Sequence, residues 1–225
     1  MPHIVAGPLG KLPSDIRYGL GAFRHRVFIQ RLGWALPDTG ENDTSEWDQF
    51  DRRETVHIVA LEPGPSVCGC ARLMPTTGPY LLRDLFPGLA GSREPPQSPL
   101  IWELSRFAAS RSAGSQADSA RGMRLFPYAL ALAASLGATS VIGVVTHSAA
   151  RLYRQSGLEL RNFAPADETH AQPFLACTID LTPTTFARLQ CDQSTLLDSM
   201  TWFGPRPACA TPCGPASRPD TATGP

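Results

Sequence analysis

The chain of 225 residues is long enough for one domain with a sizeable core and too short for two full-sized ones. With 42% apolar and 18% charged residues it is not a disordered chain, and no apolar run approaches the roughly 18 residues of a membrane-spanning helix. Twenty basic residues balance twenty acidic ones, which argues against nucleic acid or anionic lipid as a partner of the whole surface. The start, MPHIVAGPLGKLPSD, has no charged n-region and no sustained apolar stretch, so a cytoplasmic, soluble protein is expected. The six cysteines then read as free thiols. Cys68-Gly69-Cys70 lacks the second pair a zinc site needs and sits in an apolar strand, so it reads as core and no metal site is expected.

The Pro-rich start gives way at Ser14 or Asp15, either able to cap a helix whose apolar stripe is Ile16, Leu20, Phe23 and Val27. Residues Asp38 to Glu54 are acidic and without period. Thr55–Leu61 and Val67–Pro75 read as strands joined by the turn Pro63-Gly64-Pro65. A short helix over Tyr80–Leu89 and a strand over Leu100–Ser110 follow, then a Ser/Ala/Gly-rich loop over Arg111–Arg121. Met123–Leu136 is a helix stopped by Gly137, and Thr139–Thr146 is a nearly all-apolar strand suited to the middle of a sheet. His147–Gln155 is a helix ended by Gly157. Strands over Leu158–Phe163 and Pro173–Leu181, then helical material, lead to a Pro/Gly-rich tail from Gly204 that reads as disordered. The pattern predicts one α/β domain over residues 1–203, with a mixed sheet and helices on its faces.

Charges in apolar strands are the informative ones, because an ionised group there is costly unless paired. Strand period two puts Cys68, Cys70, Arg72 and Met74 on one face. In the later strand it puts Ile101, Glu103, Ser105 and Phe107 on one face and Trp102, Leu104, Arg106 and Ala108 on the other. Glu46, Asp48 and Asp51 are the source of counter-charges. For Arg72 and Arg106 an ion-pair network that pins a loop to the sheet and a role in chemistry both remain open. Glu103 has the stronger claim to chemistry, since a partly buried carboxylate can be tuned toward a general base.

These residues form a series. Arg24-His25-Arg26-Val27-Phe28, Gly33-Trp34, Glu46-Trp47-Asp48-Gln49-Phe50-Asp51, Gly69 to Thr77, Phe86-Pro87 and Trp102 to Phe107 resemble, in order and spacing, the LuxI-type acyl-homoserine-lactone synthases. The resemblance runs from about residue 5 to about 200 and looks closest to the octanoyl-type synthases of β-proteobacteria. His57 stands where that family often has Tyr, and the tail after Phe203 has no counterpart.

The resemblance implies a GNAT-like acyltransferase fold, a twisted mixed sheet with a cleft between two splayed central strands and a mobile N-terminal segment over about 20–50. It implies S-adenosylmethionine and an acyl-[acyl carrier protein] as substrates, with no metal, redox cofactor or covalent enzyme intermediate, and a monomer or weak dimer. Glu103, Asp48 and Ser105 become the catalytic candidates. Arg24, Phe28, Trp34, Asp48, Arg72 and Phe107 become candidates for holding S-adenosylmethionine, although Phe28 and Trp34 also suit ordinary packing. Glu46, Asp51, Arg72 and Arg106 would form a structural ion-pair network. Leu100, Phe107, Met123, Leu125, Val144 and Thr146 would line the acyl pocket. Arg151 and Arg154, neighbours on one helix, with Arg121 and Arg124, would dock the acidic carrier, or simply form a solvated face. Two other readings compete: a GNAT acyltransferase using acyl-coenzyme A and another amine, echoed by Arg111-Ser112-Ala113-Gly114, and a carrier-protein adaptor.

Overall fold

Eight strands make one mixed sheet in the order β6-β7-β5-β4-β3-β2-β1-β8, seen in a computed structural model that describes residues 2–35, 43–64, 66–110, 123–165 and 172–205. The strands are β1 (His3–Pro8), β2 (Val56–Leu61), β3 (Val67–Pro75), β4 (Ile101–Ala109), β5 (Ser140–Thr146), β6 (Arg161–Asn162), β7 (Phe174–Asp180) and β8 (Thr201–Trp202). Only the β4/β5 and β1/β8 pairs are parallel. The helices are α1 (Ser14–Arg24), α2 (Leu81–Asp84), α3 (Leu125–Ser135), α4 (His147–Gln155), α5 (Pro183–Arg188) and α6 (Gln193–Asp198).

Two apolar layers sandwich the sheet. On one face Ile58, Ala71, Leu73 and Leu104 pack under Phe126, Ala129, Leu130 and Ala133 of α3, whose small alanines let the helix approach closely. On the other, Val59, Cys70 and Ala108 meet Ile16, Leu20 and Phe23 of α1 and Val27 in the turn that continues it, so the expected stripe is the buried one. Farther along that second face, Met74, Ile142 and Ala176 meet Tyr80, Leu81 and Leu82. A polar cluster, described below, separates these two apolar patches.

Four local expectations change. The opening is strand β1, not merely a Pro-rich lead: Ile4 to Ala6 are buried on both faces between β2 and β8, which leaves no alternation to read. Pro13, not Ser14 or Asp15, precedes α1 at its N-cap and no side chain caps it. The helix runs on as a π-helical turn over His25–Arg31. The expected Leu158–Phe163 strand shrinks to the two residues of β6, because Leu158 and Leu160 turn into the core instead of pairing.

The feature that positions the site is a fork. β4 and β5 pair only at Ile101↔Ser140, Trp102↔Val141 and Glu103↔Ile142. Beyond that, β4 pairs only with β3 and β5 only with β7. Gly143 stands at the apex, where a Cβ would lie 3.1 Å from the Leu104 carbonyl oxygen.

Candidate active site

The polar cluster is a closed circuit of six ion pairs. Arg24 Nε meets Glu46 Oε2 at 2.5 Å, and its two Nη atoms meet the two Asp51 oxygens at 2.8 Å each. Asp51 Oδ1 continues to Arg72 Nη1 at 3.0 Å, which also donates to Asp48 Oδ1 at 2.6 Å. Asp48 Oδ2 lies 2.5 Å from Arg106 Nη2, and Arg106 returns to Glu46 Oε1 through Nη2 at 2.9 Å and Nε at 3.1 Å. Three arginines and three carboxylates thus alternate and balance. All three carboxylates come from one segment, while the arginines come from α1, β3 and β4.

That segment is shaped locally before it is bound. Asp48 Oδ1 accepts from Phe50 N and Asp51 Oδ2 from Asp48 N, two short-range side-chain bonds that turn the backbone. Phe50 is buried as its apolar anchor, and Glu46 N donates to Gly21 O on α1. Gly21 is required there, since a Cβ would sit 2.9 Å from Trp47 Nε1. Burial opposes ionisation of Glu46 and Asp51, yet the arginines outweigh it and hold both below the usual carboxylate range. His57, directly opposite Arg72 on β2, is buried 3.4 Å from Asp51, and burial pulls its pKa down to about 3. It is neutral, as a balanced circuit requires.

The circuit takes in several of the candidate residues. Arg24 and Asp48, assigned to the substrate or to catalysis, are members of the circuit, with the Arg24 guanidinium fully buried and both Asp48 oxygens hydrogen-bonded or ion-paired. Ser105, a catalytic candidate, accepts from Arg72 Nε at 2.9 Å. The strict alternation along β4 also fails. Arg106 adopts φ 49°, and the β3/β4 register slips between Cys70↔Ala108 and Arg72↔Ser105. This bulge turns Arg106 onto the Arg72 face with Glu103 and Ser105, and sends Phe107 to the opposite face. Phe107 meets Phe126 and Tyr153 edge to face there, away from the circuit.

Phe28 and Trp34 stack on each other at 4.7 Å, and the Arg106 guanidinium lies 5.3 and 5.2 Å from their ring centres. Phe28 is buried, whereas Trp34 keeps 38% of its surface in solvent. Trp34 therefore joins the circuit to an open aromatic surface.

Glu103 lies at the fork on the circuit's face, fully buried. Its Oε2 accepts from Leu81 N at 2.7 Å and its Oε1 from Leu82 N at 2.9 Å. Burial raises its pKa to about 7, against the two amide bonds and Arg72, which favour the ionised form. The carboxylate is therefore poised between its two protonation states near neutral pH, as a general base requires. Sequence reasoning does not single out Tyr80 or the amides of Leu81 and Leu82; the signal available was a helix start, whose first N–H groups lack helical partners.

The expected acyl lining does not converge. Leu125, Met123 and Phe107 belong to the α3 side, Val144 packs on the Glu103 side, Leu100 is 49% exposed, and Thr146 caps α4 through Ala149 N. A cavity of about 370 Å³ beneath the far ends of β1 to β4 is bordered by Ile4, Cys68, Ala109 and Leu125, the last alone from that set. Arg151 and Arg154 are exposed on α4, with Arg154 donating to Asn162, and Arg124 is exposed before α3. Arg121, the Arg111–Gly114 echo, part of the 20–50 segment and the tail beyond residue 205 lie outside the described residues.

Comparison with known proteins meets this geometry. A family model described as autoinducer synthase matches residues 14–189. An acyl-homoserine-lactone synthase of Ralstonia solanacearum is 41% identical over 184 residues, covering 80% of this chain and 89% of that protein, in keeping with the β-proteobacterial likeness. TofI, solved in a ternary complex with an inhibitor and MTA, superposes with a TM-score of 0.71 at 37% identity, over 85% of this chain and 98% of that one. BjaI, described as a CoA-dependent acyl-homoserine lactone synthase with S-adenosylmethionine and isopentyl-CoA, gives 0.73 at 25% identity, over 92% and 95%. At the level of fold alone, an N-acetyltransferase from Lactobacillus plantarum gives 0.54 at 16% identity. The mixed sheet is thus of the GNAT-like acyltransferase type.

Proposed function

The chain belongs to the autoinducer synthase family and is an acyltransferase of the acyl-homoserine-lactone synthase kind, and from that premise we propose that it joins S-adenosylmethionine to a fatty acyl group carried as a thioester on acyl carrier protein. The observation that carries the reading is Glu103, a buried carboxylate with a pKa near neutrality at the apex where β4 and β5 part.

Two steps follow. The methionine amine loses a proton to Glu103 through one water, since both carboxylate oxygens are already held by amides, and the freed nitrogen attacks the thioester carbonyl. The carbonyl oxygen gains negative charge, and backbone N–H groups of β4 and β5 that no longer pair across the fork suit its stabilisation. Thiol departs and an amide remains. The methionine carboxylate then displaces 5'-methylthioadenosine from the γ-carbon and closes the lactone, a step whose sulfonium leaving group already departs neutral and which needs positioning above all. Trp34, partly in solvent beside Phe28, suits a sulfonium or adenine face. MTA in the TofI complex supports such a reaction. Octanoyl is the acyl group that the resemblance favours.

A second reading, acyl-coenzyme A as donor, is favoured by the description of BjaI. The purified protein is mixed with S-adenosylmethionine and octanoyl-carrier protein or octanoyl-coenzyme A, and lactone and methylthioadenosine are followed by mass spectrometry. Lactone from the carrier supports the proposal, and lactone from coenzyme A alone selects the second reading. Acylation of another amine without methylthioadenosine overturns both. Glu103→Gln lowers kcat by about 100-fold or more with the fold intact; unchanged kcat removes Glu103 from the mechanism.

A further inference from the structure

The Glu103 carboxylate is held by a piece of structure too small to hold itself. α2 has four residues, and its first two N–H groups, Leu81 and Leu82, are spent on Glu103. So short a helix has almost no stability of its own. Beside the buried Leu81 and Leu82, it is tied down by Tyr80, the residue before its first turn. Tyr80 is extended, with φ −156° and ψ 163°, and caps nothing with its side chain. Its ring is fully buried among Met74, Leu82, Leu89 and Ile142, with the Arg83 guanidinium 5.1 Å from its centre, and its hydroxyl donates to Pro96 O at 2.5 Å.

Pro96 is itself tethered to the end of β3. Thr76 Oγ1 donates to Ser98 O at 2.9 Å and accepts from Ser98 N at 3.0 Å, and Thr76 N donates to Ile101 O at the start of β4. The hydroxyl of Tyr80 therefore closes an arch that runs from β3 through residues 96–98 to the turn of α2. We propose that Tyr80 is a positioning residue for the reaction: its bond to Pro96 sets the two amides that hold the Glu103 carboxylate. The inference rests on Glu103 as the base.

Ionised Glu103 gains from both amides, so slackening the arch weakens the charged form. The other groups acting on Glu103 are Arg72 on β3, which favours its charge, and Asp84 in α2, which opposes it; both remain in a Tyr80 variant. Tyr80 stays protonated, burial lifting its pKa to about 12.

The test uses Tyr80→Phe in the full chain with whichever octanoyl thioester supports turnover. The kcat profile is measured against pH, and the Glu103 pKa by carbon-13 NMR, assigned by its absence in Glu103→Gln. The expected result is an acid limb and a Glu103 pKa both raised by about half a unit or more. kcat at pH 7 falls roughly twofold or more and recovers at alkaline pH, with KM for S-adenosylmethionine unchanged. A limb and a pKa that stay in place overturn the proposal and leave Tyr80 as packing. If Glu103→Gln stays active, the base reading fails by itself, and the NMR shift alone then decides whether Tyr80 holds the carboxylate. Should Tyr80→Phe not fold, Leu81→Pro removes one donor at a first helical position that accepts proline. The same upward shift is expected there, and an unmoved pKa overturns the proposal.

Discussion

Arg24, Arg72 and Arg106 alternate with Glu46, Asp48 and Asp51, and that closure decides how single substitutions behave. Removing one charge leaves two buried neighbours uncompensated. Arg24→Met should cost about 3 to 5 kcal/mol in urea unfolding. Adding Glu46→Gln to Arg106→Met should cost less than the sum of the two single changes, because one partner's loss already strands the other. His57 sets a second test. Its folded pKa of about 3 lies below the ordinary 6.5, so the unfolded chain alone takes the proton as pH falls, and stability is lost from about pH 6.5 toward 3. Between pH 7 and 5 this amounts to about 2 kcal/mol, which His57→Gln removes from the fall in unfolding free energy. Glu103 works in the opposite sense: its raised pKa means its contribution is full below about 4.5 and fades as pH rises through about 7. A His57→Gln profile as steep as the parent's would show that the imidazole takes its proton in the folded chain.

Among elements, β4 shows both what the sequence displayed and what it hid. Its period of two identified a strand with a charge on an apolar face, and Glu103 lies at the fork on the sheet face of the circuit. The left-handed turn at Arg106 was not legible, because no glycine or asparagine announces it, and that one residue exchanges the faces of Arg106 and Phe107. β1 was hidden for a different reason: burial on both sides removes the alternation that reveals a strand. The acidic segment read as aperiodic because its order comes from side chains bonding their own backbone and from distant arginines, neither of which leaves a period. Gly143 tests the fork as an element. Gly143→Val must push against the Leu104 carbonyl, which is backbone and yields little. KM for the acyl donor should rise roughly fivefold or more while KM for S-adenosylmethionine stays near its parent value; equal changes in both would disconnect the fork from the acyl group.

For the whole molecule, the neutral net charge conceals a division. The circuit withdraws three acidic and three basic residues from the surface alike, while Arg124, Arg151 and Arg154 stand exposed near one another in sequence order around α3 and α4. If that surface receives an acidic carrier, Arg151→Glu with Arg154→Glu should raise KM for the carrier-borne substrate about tenfold at low salt, with less effect as salt rises and none on S-adenosylmethionine. A coenzyme A donor should be indifferent to the change. Equal sensitivity of the two donors would mean that these arginines read something common to both thioesters instead of the carrier's surface.

The join between β4 and β5 is only three residue pairs long, so the sheet divides into two leaves on a narrow spine, with β1 to β4 and β8 in one leaf and β5 to β7 in the other. Anything seated between the leaves touches both and lends its binding energy to the seam. Saturating thioester at a hundred times its dissociation constant would add about 2.7 kcal/mol to the folded state. Amide exchange should then slow most along the inner margins of Leu104–Ala109 and Gly143–Thr146, which no longer pair with each other across the fork.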